Sequence, residues 1–260
     1  MRPLILIVND DGYLAKGINL LTHVVEEMGD VVVVAPEVNA SGKSHSLTTS
    51  VPLRVKTIQE TPHRSIYATS GTPVDCVKLG SEHFCPRPPS LVLSGINHGS
   101  NSACNVLYSG TMGAVLEAAT NGYQSVGFSL LEHHRDADFT YVLPYVQRIV
   151  EEVLQNGLPK GICLNVNFPP TEIGPIRGMR VCRASQSRWT DSCEKRTDPY
   201  GHAYFWLTGH FECTDEEEGT DQWALMHGYA SVVPCRPDFT SLSAIAPLRY
   251  RFEMGNWPCR

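Results

Sequence analysis

The sequence is short of positive charge, of paired cysteines and of long apolar runs, and each shortage excludes a class of function. Only 21 basic residues stand against 27 acidic ones, for a formal charge of −6. A chain of that sign does not attract a polyanion by long-range electrostatics, so a general nucleic-acid or DNA-binding role is excluded, and any phosphate must be held by local devices. The nine cysteines, at 76, 85, 104, 163, 182, 193, 213, 235 and 259, are odd in number and never form Cys-x-x-Cys. Neither a zinc knuckle nor a disulfide framework fits that scatter, and a reducing, cytoplasmic setting is expected. No stretch approaches the ~18 consecutive apolar residues of a membrane span. At the start, Arg2 precedes only the apolar residues 4–8 before Asn9-Asp10-Asp11, too short a run for a signal-peptide core. Gly42-Lys43-Ser44 imitates the end of a Walker A loop, but Glu37 occupies the place of its leading glycine. No Gly-x-Gly-x-x-Gly follows the first apolar run, so a dinucleotide fingerprint is absent too.

What is present describes a globular α/β chain. With 260 residues, 42% hydrophobic and 18% charged, the protein is long enough to bury roughly 70–75% of its unfolded surface. Residues 4–8 are continuously apolar and β-branched, the signature of a strand buried on both faces. Ile18, Leu20, Leu21, Val24, Val25 and Met28 then recur at helical spacing up to Gly29, and a second apolar run covers 31–35. Strand, helix and strand at that spacing read as a right-handed unit opening a Rossmann-like, doubly wound, mostly parallel sheet. Further along, 47–56 and 65–70 suggest antiparallel strands, Thr72-Pro73 starts a helix to Leu79, and 91–93 is a short strand. A helix over 112–121, a strand over 125–130, a long amphipathic helix over 138–156 and a strand over 162–168 complete the pattern. Residues 1–170 thus form the expected core. From 171 to 260 the alternating segments, Pro-rich turns and acidic stretch indicate an extended, antiparallel region that packs on the core or on another subunit.

Three polar loops follow three apolar strands: Asn9-Asp10-Asp11-Gly12, Asn39-Ala40-Ser41-Gly42 and Ser94-Gly95-Ile96-Asn97. In a doubly wound sheet all three gather at the carboxyl edge, where ligands bind. Adjacent carboxylates alternate faces along a regular strand, but at its end Asp10 and Asp11 can converge on one cation. A hard divalent ion stabilises both as anions, and Ser41 and Asn97 supply neutral oxygen ligands. An all-oxygen set suits Mg²⁺, Mn²⁺ or Ca²⁺ and argues against zinc. Taken alone, Asp10-Asp11 equally suits a turn and helix cap. Ser109-Gly110-Thr111, opening a helix, offers hydroxyls, free amides and the positive end of the dipole to a phosphate, or else is an ordinary N-cap. His45 and His98 sit in the same loops as candidate proton donors, and Asp215 to Glu218 form either a cation site or a solvated turn.

Several motifs in fixed order resemble the SurE (survival protein E) family of metal-dependent 5′-nucleotidases and phosphatases. They are Val8-Asn9-Asp10-Asp11-Gly12, Ser41-Gly42, Gly71-Thr72-Pro73-Val74-Asp75-Cys76-Val77, and Ser94-Gly95-Ile96-Asn97-His98-Gly99-Ser100-Asn101. Tyr108-Ser109-Gly110-Thr111, Leu164-Asn165-Val166-Asn167-Phe168-Pro169, Thr220-Asp221 and Gly228-Tyr229-Ala230-Ser231-Val232 continue the likeness nearly to the end. The resemblance implies one divalent cation per subunit (Mg²⁺ or Mn²⁺, with Ca²⁺ or Co²⁺ as other candidates) on Asp10, Asp11, Ser41 and Asn97. It implies hydrolysis of nucleoside 5′-monophosphates, with 3′-monophosphates as a further candidate, and a C-terminal extension exchanged in a homodimer or homotetramer. The expected catalytic residues are Asp10 and Asp11, with Asn101, Ser109, Gly110 and Thr111 cradling the phosphate. A metal-dependent nucleotide-sugar transferase and a non-catalytic nucleotide-binding regulator remain the alternatives, since a Rossmann-type sheet hosts all three.

Overall fold

The computed structural model describes residues 2–253 apart from 133 and 135. Its centre is a nine-stranded sheet of order β3-β4-β2-β1-β5-β6-β7-β11-β8. The first two strands are β1 (Leu4–Val8) and β2 (Asp30–Pro36), followed by β3 (Val55–Glu60) and β4 (Arg64–Thr69). Next come β5 (Leu91–His98), β6 (Ser125–Leu130), β7 (Cys163–Phe168), β8 (Met179–Val181) and β11 (Ala230–Cys235). From β4 through β7 every neighbouring pair is parallel, while β3 and β11 join antiparallel to β4 and β7. The remaining strands, β9 (Arg188–Thr197) and β10 (Ala203–Glu212), form a separate antiparallel ribbon. The fold is therefore the expected α/β arrangement with a mostly parallel sheet and an antiparallel extension.

Alternation along β1 builds the two layers. Ile5 and Ile7 face one way, onto α1 (Lys16–Val25) through Ile18, Leu21 and Val25, and onto α4 (Leu143–Asn156) through Val146, Ile149 and Val150. Leu4, Leu6 and Val8 face the other way, toward α2 (Pro73–Leu79) through Cys76 and Val77 and toward α3 (Gly110–Thr120) through Ala114 and Ala118. All five β1 residues are buried, and each such side chain contributes roughly 1.5–3 kcal/mol relative to exposure.

Local chemistry sets the boundaries. At α2 the Thr72 hydroxyl accepts from Asp75 N while Asp75 accepts from Thr72 N, a capping box closed by Pro73 in the first turn. The expected helix over 138–156 becomes a 3₁₀ turn at Thr140–Val142 and an α-helix only from Leu143, with Pro144 in its first turn. Proline lacks the N–H that an interior position would use, so the α-helix begins there. Residues 47–54 of the expected 47–56 strand are irregular, and the strand begins only at Val55; Thr48 N donates to Asp75 and Thr72 to Ser46 O, ties to α2 rather than to a sheet. The strand over 91–93 runs on to His98, through polar residues that resemble a loop in sequence.

Beyond 170, β8 and β11 extend the central sheet and two helices appear, α5 (Asp221–Met226) and α6 (Leu242–Glu253), which buries no residue. The eight described cysteines are free thiols, and Cys259 lies outside the described residues. Among the described residues no helix is long and apolar enough to cross a membrane.

Candidate active site

The carboxyl ends of β1 and β5 and the loop after β2 meet over the N-terminus of α3. Asn9 folds its side chain back, donating from Nδ2 to Gly12 O (2.9 Å) and accepting from Gly12 N (3.2 Å). Gly12, at φ +100°, closes that turn and leaves Asp10 pointing off the strand end. Asp10 is only 3% exposed. Its Oδ1 accepts from Thr111 Oγ1 at 2.7 Å, and its carbonyl accepts from Ala40 N at 2.7 Å, which draws the second loop in. Gly110 makes this approach possible, since a Cβ there would lie 2.9 Å from Asp10 Cβ and 3.0 Å from Oδ2.

Asp11 is less buried. Its Oδ2 accepts from His98 N at 3.3 Å, and Oδ1 sits 3.5 Å from Asn39 Nδ2. Asn39 in turn accepts from Ser41 N at 2.8 Å, so the loop that carries Ser41 is hinged on the carboxylate it would accompany. Asn97 is brought to the same place by a register shift of β5 against β6 between Ser94 and Asn97. Its Nδ2 donates to Gly99 O at 2.9 Å, which sets the orientation of the planar amide and so of its Oδ1.

Burial pushes the Asp10 carboxyl up from 3.8 to about 6, against the Thr111 hydroxyl, which favours the anion, and with help from the neighbouring Asp11 charge. Asp11 is also raised, by burial, despite the His98 amide. Among the described residues no Lys or Arg is ion-paired with either carboxylate. Two close, desolvated carboxylates without a cationic partner are unfavourable as anions, and the surrounding donors are neutral oxygens. That donor set fits a hard divalent cation: two carboxylates with the Ser41 hydroxyl and the Asn97 carbonyl beside them.

Asp10, Ser41, Asn97, Asn101 and Ser109 line one cavity of about 620 Å³, a volume in the ~300–1,000 Å³ range of small-molecule sites. Ser109 caps α3, its Oγ accepting from Met112 N at 3.0 Å, and keeps its own O–H to donate. Thr111 is fully buried and spends its hydroxyl on Asp10, so it stands behind the carboxylate, while Gly110 is the spacer beside it. Asn101 donates from Nδ2 to Ser129 Oγ (2.8 Å), and its backbone is fixed by Asn167 Oδ1 and Asn165 Nδ2, both at 2.8 Å. His98 also lines the cavity and packs edge-on against Phe139 at 4.8 Å. His45 is turned away to Glu117 Oε2 at 2.9 Å. The acidic stretch at 215–218 is no open cation site, because Arg183 pairs with Asp215 at 2.6 Å and Glu217 at 2.8 Å.

Sequence reasoning missed several wall residues. Asn105, Trp189, Phe211 and Gln222 also line the cavity, and the last three come from the region after 170. Asp221 is fully buried and accepts from Ala103 N and Ser185 N, each at 2.8 Å, tying that region to the loop after β5. Its place in the Thr220-Asp221 motif was the only available signal.

The sequence of residues 5–191 matches the family model of survival protein SurE. The chain belongs to the SurE family. It is 49% identical over 248 residues to the 5′-nucleotidase SurE of Cytophaga hutchinsonii, covering 95% of this chain and 96% of that one. It is 46% identical to the 5′-nucleotidase SurE of Phocaeicola vulgatus, covering 98% and 97%. Among solved structures, the SurE protein from Aquifex aeolicus superposes with a TM-score of 0.82 at 37% identity, over 96% of this chain and 99% of that one. Of the motifs that resemble SurE in the sequence, those around Asp10, Ser41-Gly42, Asn97 to Asn101 and Tyr108-Ser109 border the cavity.

Proposed function

We propose that this SurE chain is a divalent-metal-dependent phosphomonoesterase that hydrolyses nucleoside 5′-monophosphates, and 3′-monophosphates as a secondary substrate, to nucleoside and phosphate. The carrying observation is Asp10: a buried carboxylate, raised to about 6, without a cationic partner among the described residues, on the wall of a cavity that also holds Ser41, Asn97, Asn101 and Ser109. The names of the relatives, at 46–49% identity over nearly the whole chain, supply the nucleotide.

Asp10, Asp11, Ser41 and Asn97 would hold the cation, Mg²⁺ or Mn²⁺ in the first instance. When bound, such an ion supplies charge neutralisation on the phosphoryl oxygens and lowers the pKa of an adjacent water. The protein does the rest. The Ser109 hydroxyl and the Gly110 amide, at the positive end of an 11-residue helix, receive the phosphate oxygens. Asn101, immobilised by Ser129, Asn165 and Asn167, presents a pre-set wall on the opposite side. Asp10 takes the proton of the attacking water as the new oxygen–phosphorus bond forms and the ester bond breaks, and His98, in the cavity wall, protonates the departing nucleoside oxygen. The exposed apolar side chains of the β9–β10 ribbon and of α6, including Phe205, Leu207, Leu242 and Tyr250, support a homodimer or homotetramer, checked by sedimentation.

The test is phosphate release from 5′- and 3′-nucleoside monophosphates after chelation and after restoring Mg²⁺ or Mn²⁺, with Asp11→Asn alongside. Metal-restored release that is lost in the variant is the expected result. Release unaffected by chelation would refute the metal role, and no release under any ion would refute the hydrolase.

A further inference from the structure

The phosphate end of the cavity is polar, but its far wall is aromatic and comes from another part of the chain. Trp189 and Phe211 are cross-strand partners at the root of the β9–β10 ribbon, with ring centroids 6.0 Å apart at 75°. The Trp189 Nε1 donates to Asn105 Oδ1 at 2.6 Å, on the 3₁₀ turn Ala103–Leu107 that leads toward Ser109. One hydrogen bond thus fixes the indole relative to the phosphate-facing N-terminus of α3. The indole is 42% exposed, and both rings border the cavity that Asp10 and Ser109 border. A large aromatic side chain held by its N–H while much of it stays exposed to the cavity is an arrangement for stacking a flat ligand.

We infer that Trp189, with Phe211 beside it, is the nucleobase platform of this enzyme, and that it selects for a base by its face rather than for any one base by its edge. The inference rests on the nucleotidase reading above and names its substrate class more closely. It follows from position, because the cavity is continuous from the carboxylate to the indole, so a ligand with phosphate at one end and a flat ring at the other spans it. It also follows from chemistry, because every base has a π-face and stacking is tolerant of sequence. Trp189 is a specificity-determining residue here and takes no part in the phosphoryl chemistry.

The experiment compares Trp189→Ala and Trp189→Phe with the unaltered enzyme on adenosine, guanosine, cytidine and uridine 5′-monophosphates and on glycerol phosphate, which has no ring. Stacking on one exposed face predicts that Trp189→Ala raises KM for all four nucleotides by about five- to tenfold. The kcat should stay within about twofold, and glycerol phosphate should be hydrolysed unchanged. Trp189→Phe keeps a ring but drops the N–H, and should recover most of the loss. An equal fall on nucleotides and glycerol phosphate, or a Phe variant as poor as the Ala variant, would mean that Trp189 only braces Asn105, and would overturn the inference. A binding readout separates this from the hydrolase reading. Adenosine 5′-monophosphate should quench indole fluorescence in the unaltered protein, and Trp189→Phe, with three of the four tryptophans left, should lose that quench. Equal quenching in both overturns the platform, whereas quenching without turnover counts against hydrolysis alone.

Discussion

Replacing Asp10 by Asn should make the metal-free protein more stable while abolishing its response to metal. In the folded chain the Asp10 carboxyl titrates near 6 rather than 3.8, burial being the main cause. Between those two values the folded state holds the proton more tightly than the unfolded state. Stability therefore falls as pH rises through that window, and the whole penalty is in place above about 6. At about 1.4 kcal/mol per pH unit the charged form costs about 3 kcal/mol at pH 7.5, and about 1 kcal/mol at pH 4.5. Asn keeps the shape and can still accept from Thr111 Oγ1, so the variant recovers that energy. In chelator at pH 7.5 it should melt about 6–12 °C above the parent, taking about 2–4 °C per kcal/mol for a chain of this size, and the gap should narrow toward pH 4.5. Saturating Mn²⁺ should reverse the order, since a ligand at about 1,000 times its Kd adds about 4.1 kcal/mol to the parent and little to the variant. Calorimetric or fluorescence melts across pH, with and without chelator, make the measurement. A chelated variant that melts at or below the parent at pH 7.5 would refute the reasoning, because it would mean that the Asp10 charge is already compensated by the protein.

Substitutions at Thr111 and Gly110 probe the supports of that carboxylate, and one at Glu117 probes a separate ion pair. Thr111→Val removes the 2.7 Å bond to Asp10 Oδ1, and should weaken Mn²⁺ binding by about 10–100-fold, whereas Thr111→Ser should restore it; titration calorimetry reads both. Gly110→Ala places a Cβ 2.9 Å from Asp10 Cβ, so it should cost about 1–3 kcal/mol in stability and on the order of 100-fold in kcat by displacing the carboxylate; a variant of parental activity would show that the approach is not needed. Glu117 is raised by burial but more strongly lowered by Lys78 Nζ at 2.6 Å, His45 and Asn121, and so ends below 4.5. With its folded pKa depressed, its contribution is present above 4.5 and lost as pH falls below it. Glu117→Gln should then cost about 1–3 kcal/mol at pH 7, with the difference from the parent closing in acid melts below pH 4.5.

The sequence was most legible where one local rule decided the outcome. Residues 4–8 and 31–35 are buried on both faces and show it as unbroken apolar runs, and the position of the three polar loops then follows from parallel-sheet topology. Pro144 contained the true start of α4, but the apolar period upstream concealed it. Ser94 to His98 resemble a loop because their polarity serves a site at the strand's end, and a propensity reading cannot distinguish that from solvent exposure. Thr111 read as a phosphate donor because its place at a helix start was visible, whereas the direction of its hydroxyl was not. Trp189 and Phe211 gave no signal at all. Their relation to Asp10 depends on a ribbon returning from beyond residue 187 to the far end of the cavity, a contact that no local pattern records.

The supports of the site divide by charge, and the division explains which residues the fold can spare. Around Asn101 every buried partner is neutral and matched: Asn167 to its amide, Asn165 to its carbonyl, Ser129 to its side chain, and Asn167 to Asn165 at 2.9 Å. Asn165 and Asn167 are two apart on β7, so both project from one face, and the network holds the loop after β5 without burying a charge. Asp10 and Asp11 are the reverse, charged and unmatched by any described Lys or Arg. A network of satisfied amides rigidifies a wall at little electrostatic penalty, while a carboxylate pair without a cationic side chain keeps a charge that the proposed cation would offset. Losing an amide should therefore loosen the wall and cost stability with or without metal, whereas losing Asp10 should cost stability only when metal is present. That opposite dependence on metal separates the residues that build the cavity from those that act in it.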